Sequence, residues 1–141
     1  MDKGVFERKK IDELVKHALE VKERAYAPYS KFRVGAALLT GDGRVYTGCN
    51  VENASFGLTI CAERNAVFRA IADDCRDFKA IAIVSDADDY CIPCGACRQV
   101  LVEFSRDLTV IMANNKGDYR LTTITELLPE AFSGDSVTGG R

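Results

Sequence analysis

Two short segments of this chain carry side chains that can bind a metal ion together. The first contains Cys61 and Glu63, and the second begins at Pro93 and contains Cys94 and Cys97. Three thiolates can hold a zinc ion and leave its fourth tetrahedral position open, as catalytic zinc sites do. Glu63 follows the first thiolate closely enough to exchange a proton with a water molecule in that position. The spacing therefore indicates a catalytic zinc centre.

Helix starts are the elements that can position these ligands, because they favour the thiolate form of cysteine. We predict one helix that begins at Cys61 and a second with Cys94 and Cys97 in its first turn. Residues two apart do not share a helix face, so Glu63 can work beside Cys61 only if the metal lies near the end of that helix. Three thiolates and Zn²⁺ sum to a charge of about −1. Arg64 can offset this charge by donating hydrogen bonds to sulfur.

A closed structural zinc site is the alternative interpretation of the three cysteines. It would need a fourth ligand from Cys49, Cys75, Cys91 or His17, none of which has metal-ligand spacing. We expect these other cysteines to be buried as small apolar side chains and His17 to lie at the surface. Since the chain has a single histidine, proton transfer is expected to depend on a carboxylate, which favours Glu63.

The 141-residue length predicts a single domain over residues 1–141, with residues 133–141 as a flexible tail. The net charge is −2, and basic and acidic residues are interleaved, which favours a small-molecule substrate over nucleic acid. The first ten residues contain no apolar run, so we expect neither a signal peptide nor a membrane partner. A cytoplasmic protein is expected, in which six cysteines indicate metal binding or burial more than disulfides.

Hydrophobic periodicity predicts helices and strands that alternate along most of the chain. The predicted helices cover residues 7–26, 61–72, 94–104 and 124–128, the last capped by Thr123. The predicted strands cover residues 34–39, 44–51, 80–84, 108–112 and 119–122, the first two forming a hairpin. This order predicts an α/β fold, a three-layer α/β/α sandwich with a mixed, mostly parallel β-sheet of about five strands.

The chain resembles the small zinc-dependent cytidine deaminases in five blocks. The similarity runs in order over residues 11–132, and its blocks are residues 26–38, 47–55, 61–66, 93–99 and 126–132. The Cys-x-Glu and Pro-Cys-x-x-Cys pair also matches the general pattern of zinc deaminases that act on bases. One position departs from the family pattern, because Phe56 stands where the family often has Tyr. The resemblance implies a cytidine deaminase-like fold.

The resemblance also implies a role for each matching residue. It makes Cys61, Cys94 and Cys97 the ligands of one zinc ion per subunit, and Glu63 the proton shuttle. The remaining substrate-binding residues that it implies are Phe32 against the base, Asn50 and Glu52 on the ribose hydroxyls, Ala62 and Cys94 through their backbones, and Phe132 in a neighbouring subunit's pocket. The small enzymes of this family are homotetramers, so active sites at subunit interfaces are expected.

The expected reaction is hydrolytic deamination of cytidine and 2′-deoxycytidine to uridine and 2′-deoxyuridine, with release of ammonia, in pyrimidine salvage. The nucleophile is expected to be a zinc-activated water. The carboxylate of Glu52 would repel a phosphate, which predicts a preference for the free nucleoside. Three alternatives stay open: a deaminase of another cytosine compound, a deaminase of polynucleotides, and a non-catalytic zinc module that binds a partner.

Overall fold

The computed structural model describes residues 7–139, in which helices and strands follow the predicted order. The helices are α1 (Arg8–Lys22), α2 (Ala62–Ala72), α3 (Gly95–Phe104), α4 (Ile124–Leu127) and α5 (Gly134–Thr138), with a 3₁₀ turn at Phe56–Leu58. The strands are β1 (Val34–Thr40), β2 (Val45–Cys49), β3 (Phe78–Ser85), β4 (Thr109–Ala113) and β5 (Tyr119–Thr123).

The five strands form one mixed sheet in the order β2-β1-β3-β4-β5. Only β3 and β4 pair in parallel, and the other three neighbouring pairs are antiparallel. The prediction of a mostly parallel sheet was therefore wrong, although a mixed sheet of five strands is confirmed. The reason lies in the helical connection from β2 to β3. It carries β3 past β1, so β3 runs in the same direction as β2 but pairs with the strand that opposes both.

Helices cover both faces of this sheet, as the three-layer prediction required. On one face, α1 buries Ile11, Leu14, Val15 and Ala18 against small and branched side chains of β1, β3 and β4. The opposite face packs against α2, α3 and α4 in a larger core. Because β4 is buried on both faces, all five of its residues are buried. This explains its continuous apolar sequence.

Helix α2 lies unusually close to β2, and Gly48 makes this approach possible. A Cβ atom at Gly48 would lie 2.4 Å from the backbone nitrogen of Ala66 and 2.5 Å from the carbonyl oxygen of Ala62. Both atoms belong to the backbone of α2, which cannot move aside as a flexible side chain can. The contact fixes the start of α2, where Cys61 is the N-cap residue.

The C-terminal part of the chain contains two short capped helices. The Oγ1 of Thr123 accepts a hydrogen bond from the backbone N–H of Glu126, which confirms the predicted cap of α4. The segment expected to be a flexible tail instead contains α5, whose start is a capping box of Ser133 and Ser136. Gly139 adopts the left-handed conformation at the end of α5. Residues 140 and 141 lie outside the described residues.

The sequence predicted neither a signal peptide at the N-terminus nor a membrane partner. Residues 1–6, to which the expectation of no signal peptide mainly applies, lie outside the described residues. Within residues 7–139, none of the helices combines the length and the apolar character that crossing a bilayer would require.

Candidate active site

The starts of α2 and α3 meet and bring three cysteine sulfurs together. Cys61 and Cys94 are the N-cap residues of these helices, and Cys97 lies in the first turn of α3. The three Sγ atoms all lie within 4.8 Å of one another, and those of Cys61 and Cys94 are 3.9 Å apart. Tetrahedral zinc with Zn–S bonds of about 2.3 Å places two sulfurs about 3.8 Å apart. The group therefore fits a zinc ion.

The charge of the group also favours a bound cation. The Cys97 thiol and a hydrogen bond from Arg64 lower the pKa of Cys61 to about 5. The pKa of Cys97 is in turn raised, first by its hydrogen bond with Cys61 and then by burial. The sulfur of Cys61 thus holds a negative charge readily, whereas that of Cys97 resists one. A divalent cation removes this resistance, because it attracts each thiolate that it binds.

The alternative of a closed four-ligand site finds no support in the described part of the chain. The metal-binding group in residues 7–139 contains no side chain beyond the three cysteines. Cys75 is buried as expected, whereas Cys49 and Cys91 are only half-buried. His17 is exposed and lies 3.8 Å from Glu20 on α1. The position opposite the three sulfurs is therefore open to solvent or substrate.

Glu63 is the second residue of α2 and is only 4% exposed. Burial raises the pKa of its carboxyl group to about 7. The geometric requirement for Glu63 is met, because the sulfurs lie at the N-terminal end of α2 and not beside its middle. A carboxyl group with such a pKa can accept and return a proton near neutral pH.

Arg64 provides a positive charge directly beside the sulfur group. Its Nη2 donates to Sγ of Cys61 at 3.4 Å, and this bond is the main reason that the pKa of Arg64 is raised. The Nε of Arg64 is buried and has no hydrogen-bond acceptor among the described residues. The guanidinium group is therefore held chiefly by sulfur, as the charge count of three thiolates and Zn²⁺ had suggested.

A cavity of about 280 Å³ opens over the sulfur group and Glu63. Seven of the residues expected to bind metal or substrate line this cavity, although they come from four separate stretches of the chain. They are Phe32, Asn50, Glu52, Cys61, Ala62, Glu63 and Cys94. The ring of Phe32 gives the cavity an aromatic wall and is 44% exposed. The cavity thus combines a sulfur group that could hold a metal ion, a buried carboxyl group and a surface on which a planar ring can stack.

The sequence was also compared with the profiles of known protein families, and the result agrees with this combination of groups. Residues 8–113 match the sequence profile described as the zinc-binding region of cytidine and deoxycytidylate deaminases. The chain belongs to this deaminase family. The family is zinc-dependent and hydrolytic, and the three-cysteine group fits the zinc ion that such a hydrolase binds.

Individual members of the deaminase family are similar over nearly the whole chain. The cytidine deaminase of Sporosarcina psychrophila is 48% identical over 91% of this chain and 95% of its own. The crystal structure of cytidine deaminase from Burkholderia pseudomallei superimposes with a TM-score of 0.83 at 52% identity, covering 85% of this chain and 97% of that chain. The crystal structure of cytidine deaminase from Mycobacterium tuberculosis superimposes with a TM-score of 0.76 at 42% identity, covering 86% of this chain and 95% of that chain.

Among the residues expected to bind substrate, Phe132 is the one that lies outside this cavity. Its ring is 62% exposed, and its carbonyl oxygen accepts a hydrogen bond from Nε2 of Gln99 at 2.9 Å. Phe56 is also exposed, and its ring packs edge-on against Tyr29 with 5.9 Å between centroids. Neither ring reaches the cavity within its own chain. Their role in a deaminase with several subunits stays a prediction.

Asn50 and Glu52 reach the cavity but are already engaged by the backbone around it. Asn50 donates through Nδ2 to the carbonyl of Phe32 at 2.9 Å and accepts from the N–H of Val34 at 2.8 Å. Glu52 accepts hydrogen bonds from the backbones of Tyr29 and Ser30 at 3.0 and 3.1 Å. An Asn amide keeps one further N–H and one lone pair, so a ligand can still bind to it.

Sequence reasoning missed five residues of the cavity wall. These are Ser30, Val34, Thr59, Cys91 and Ile92. Cys91 and Ile92 directly precede Pro93 and could have been found by extending that motif. Ser30 gave no signal, because its hydroxyl donates to Glu52, twenty-two residues away along the chain.

Proposed function

We propose that this chain, as a single domain, catalyses the hydrolytic deamination of cytidine and 2′-deoxycytidine. The products are uridine or 2′-deoxyuridine and ammonia, a step of pyrimidine salvage. One observation carries the proposal: the open sulfur group, the buried carboxyl group of Glu63 and the exposed ring of Phe32 share one cavity. The relatives named above are cytidine deaminases, which supports the same substrate here.

The zinc ligands in this proposal are Cys61, Cys94 and Cys97. A zinc ion held there would supply Lewis-acid activation of a water molecule. The chain supplies what surrounds this chemistry. Arg64 reduces the excess negative charge on sulfur through its bond to Cys61. Cys61 and Cys94 stand at the N-caps of α2 and α3, where the positive ends of the helix dipoles favour thiolates.

Glu63 moves the protons of the reaction. Its carboxylate accepts one proton from water as the water oxygen attacks C4, and gives that proton to ring N3. It then takes the second proton from the new hydroxyl group and passes it to the departing amine. The C4–N bond breaks, ammonia leaves, and the product keeps a proton on N3 and a carbonyl at C4. Burial suits Glu63 to this exchange, because it raises the pKa of the carboxyl group to about 7.

The substrate is held by residues on the opposite wall of the cavity. The ring of Phe32 stacks on the base, a contact type worth about 1–3 kcal/mol per base. Asn50 and Glu52 bind the ribose hydroxyls. They use the donor and acceptor positions that are not already hydrogen-bonded to the backbone around the cavity. The backbones of Ala62 and Cys94 border the base.

The assembled form is a homotetramer in which Phe132 enters the cavity of a neighbouring subunit. Its exposed ring, anchored through the bond from Gln99 to its carbonyl, supports this placement. We further propose a cytoplasmic enzyme with neither nucleic acid nor membrane as a partner. The interleaved charges and the net charge of −2 support a small-molecule substrate.

A spectrophotometric assay on cytidine, with and without a zinc chelator, tests the proposal. We expect turnover that the chelator abolishes and added zinc restores. Parallel samples contain free cytosine, a base-modified cytosine nucleoside and a cytosine-containing single-stranded oligonucleotide. Turnover of one of these without turnover of cytidine would contradict the substrate assignment. Zinc binding without turnover of any sample would instead indicate a non-catalytic zinc module.

A further inference from the structure

The segment 32–34 forms one wall of the catalytic cavity through Phe32 and Val34. Each backbone N–H and carbonyl group of this segment is hydrogen-bonded. On one side, the side-chain amide of Asn50 donates to the carbonyl of Phe32 and accepts from the N–H of Val34. The backbone N–H of Asn50 donates to the carbonyl of Val34. The hydroxyl of Ser30 accepts from the N–H of Phe32 at 3.0 Å. The wall is therefore fixed by contacts from distant parts of the chain.

Asp86 holds the middle of this segment from the other side. It follows directly after β3, and its Oδ2 accepts from the backbone N–H of Arg33 at 2.9 Å. The same carboxylate accepts from Nε and Nη2 of Arg33, both at 3.0 Å. The backbone N–H of Asp86 donates to the carbonyl of Arg33 at 3.1 Å. Asp86 thus contacts both the backbone and the guanidinium group of the residue next to Phe32.

Lys22 anchors Asp86 in turn. Its Nζ donates to Oδ1 of Asp86 and to the side-chain oxygen of Asn115, each at 2.9 Å. Lys22 is only 3% exposed, so this cation depends on both partners. Asp86 is therefore tied directly to the end of α1 and, through Lys22, to the turn between β4 and β5. Its carboxylate does not line the cavity.

We propose that Asp86 is a positioning residue for substrate binding, which acts through Arg33 to fix the ring of Phe32 against the bound base. The inference rests on the proposed function, because it needs a base in the cavity. Within residues 7–139, the hydrogen bonds and ion pairs of the Asp86 side chain involve neither the sulfur group nor Glu63. Its loss should therefore weaken substrate binding and leave the chemical step largely intact.

Arg33→Gln is the main test variant, because it removes the guanidinium bonds and leaves the buried pair of Lys22 and Asp86 in place. We expect KM for cytidine to rise about fivefold, with kcat within about twofold of the original and zinc content unchanged. Asp86→Asn should shift KM in the same direction. Glu23→Gln is the matched control, since Glu23 also bonds the guanidinium group of Arg33 at 2.9 Å but makes no bond to the backbone of segment 32–34.

A double-mutant cycle with Phe32→Ala separates positioning from general destabilisation. If Asp86 and Arg33 act through the ring, Arg33→Gln raises KM no further once Phe32 is alanine. A full and additive fivefold rise in that background would overturn the inference, as would an unchanged KM in Arg33→Gln alone. Equal losses of kcat, zinc content and thermal stability would also overturn it.

If Asp86→Asn does not fold, the KM of Arg33→Gln and its double-mutant cycle decide the question. Absence of cytidine turnover in the unmodified protein would instead overturn the proposed function.

Discussion

The guanidinium group of Arg64 lies against the sulfur of Cys61, with 3.4 Å between Nη2 and Sγ. The two residues occupy the first turn of α2 and its N-cap, so the helix itself brings the positive charge to the first thiolate. We expect this contact to reduce the negative charge of three thiolates around a bound zinc ion. Zinc affinity and turnover should then depend on a residue that is proposed to bind neither metal nor substrate.

Replacing Arg64 by alanine should weaken zinc binding and slow turnover. Loss of a partner that hydrogen-bonds a metal ligand typically lowers metal affinity by about 10- to 100-fold. Competition with a chelating dye measures the affinity. Arg69→Ala is the matched control, because Arg69 lies in the last turn of α2 and bonds the carbonyl of Thr47 instead. Unchanged zinc affinity and turnover in Arg64→Ala would contradict a charge-balancing role.

Replacing Glu63 by glutamine should leave zinc binding intact and remove nearly all turnover. The amide has nearly the same shape as the acid but cannot carry the protons between water, N3 and the amine, a function worth about 10²- to 10⁴-fold. Zinc content by elemental analysis and kcat on cytidine give the two readouts. A Gln variant with robust activity would show that another group carries the protons.

The charge of Glu52 should make the enzyme prefer nucleosides over nucleotides. The hydroxyl of Ser30 lowers the pKa of Glu52, so the carboxylate stays ionised at neutral pH. A 5′-phosphate near this wall would meet a like charge. We expect kcat/KM for cytidine 5′-monophosphate to be at least about tenfold below that for cytidine. Comparable efficiency on both compounds would refute the prediction.

Replacing Gly48 by alanine should destabilise the protein and disturb the sulfur group. The new methyl group would collide with the backbone of α2 near Ala62 and Ala66, and such overpacking typically costs about 1–3 kcal/mol. Urea unfolding and zinc affinity are the measurements. Gly134→Ala is the control, because nothing lies within 4 Å of a Cβ atom there. Equal stability of the two variants would show that α2 can shift without cost.

Acid should destabilise the protein partly through Asp86. The hydrogen bond from Arg33 is the main cause that holds the pKa of Asp86 far below its usual range. Its carboxylate therefore stabilises the fold above the unfolded-state pKa of about 3.9, and this contribution is lost as pH falls from about 5 through the folded-state pKa. Asp86→Asn should be less stable at pH 7 and should lose less stability between about pH 5 and 2 than the original. Urea unfolding over a pH series measures this. A slope equal to that of the original would contradict the prediction.

Local spacing was enough to predict the metal group and the elements that carry it. Cys94 and Cys97 are three residues apart at a helix start, and Cys61 stands at another, so each segment supplies its ligands by itself. Helix and strand positions followed from periodicity for the same reason. The one short helix that composition concealed is α5, whose start depends on the side-chain bonds of Ser133 and Ser136.

Tertiary structure decided what lies far apart in the sequence. The strand with which β3 pairs depended on which side of the β1–β2 hairpin its connection reached, which no local pattern specifies. The resemblance named Phe32 and Asn50 as residues that contact substrate, but only the fold shows that the amide of Asn50 holds the backbone on both sides of Arg33. Asp86 gave no sequence signal, because its partners lie 53 and 64 residues away. Sequence patterns report neighbours within a few turns or strand positions, whereas these contacts exist only after the sheet has assembled.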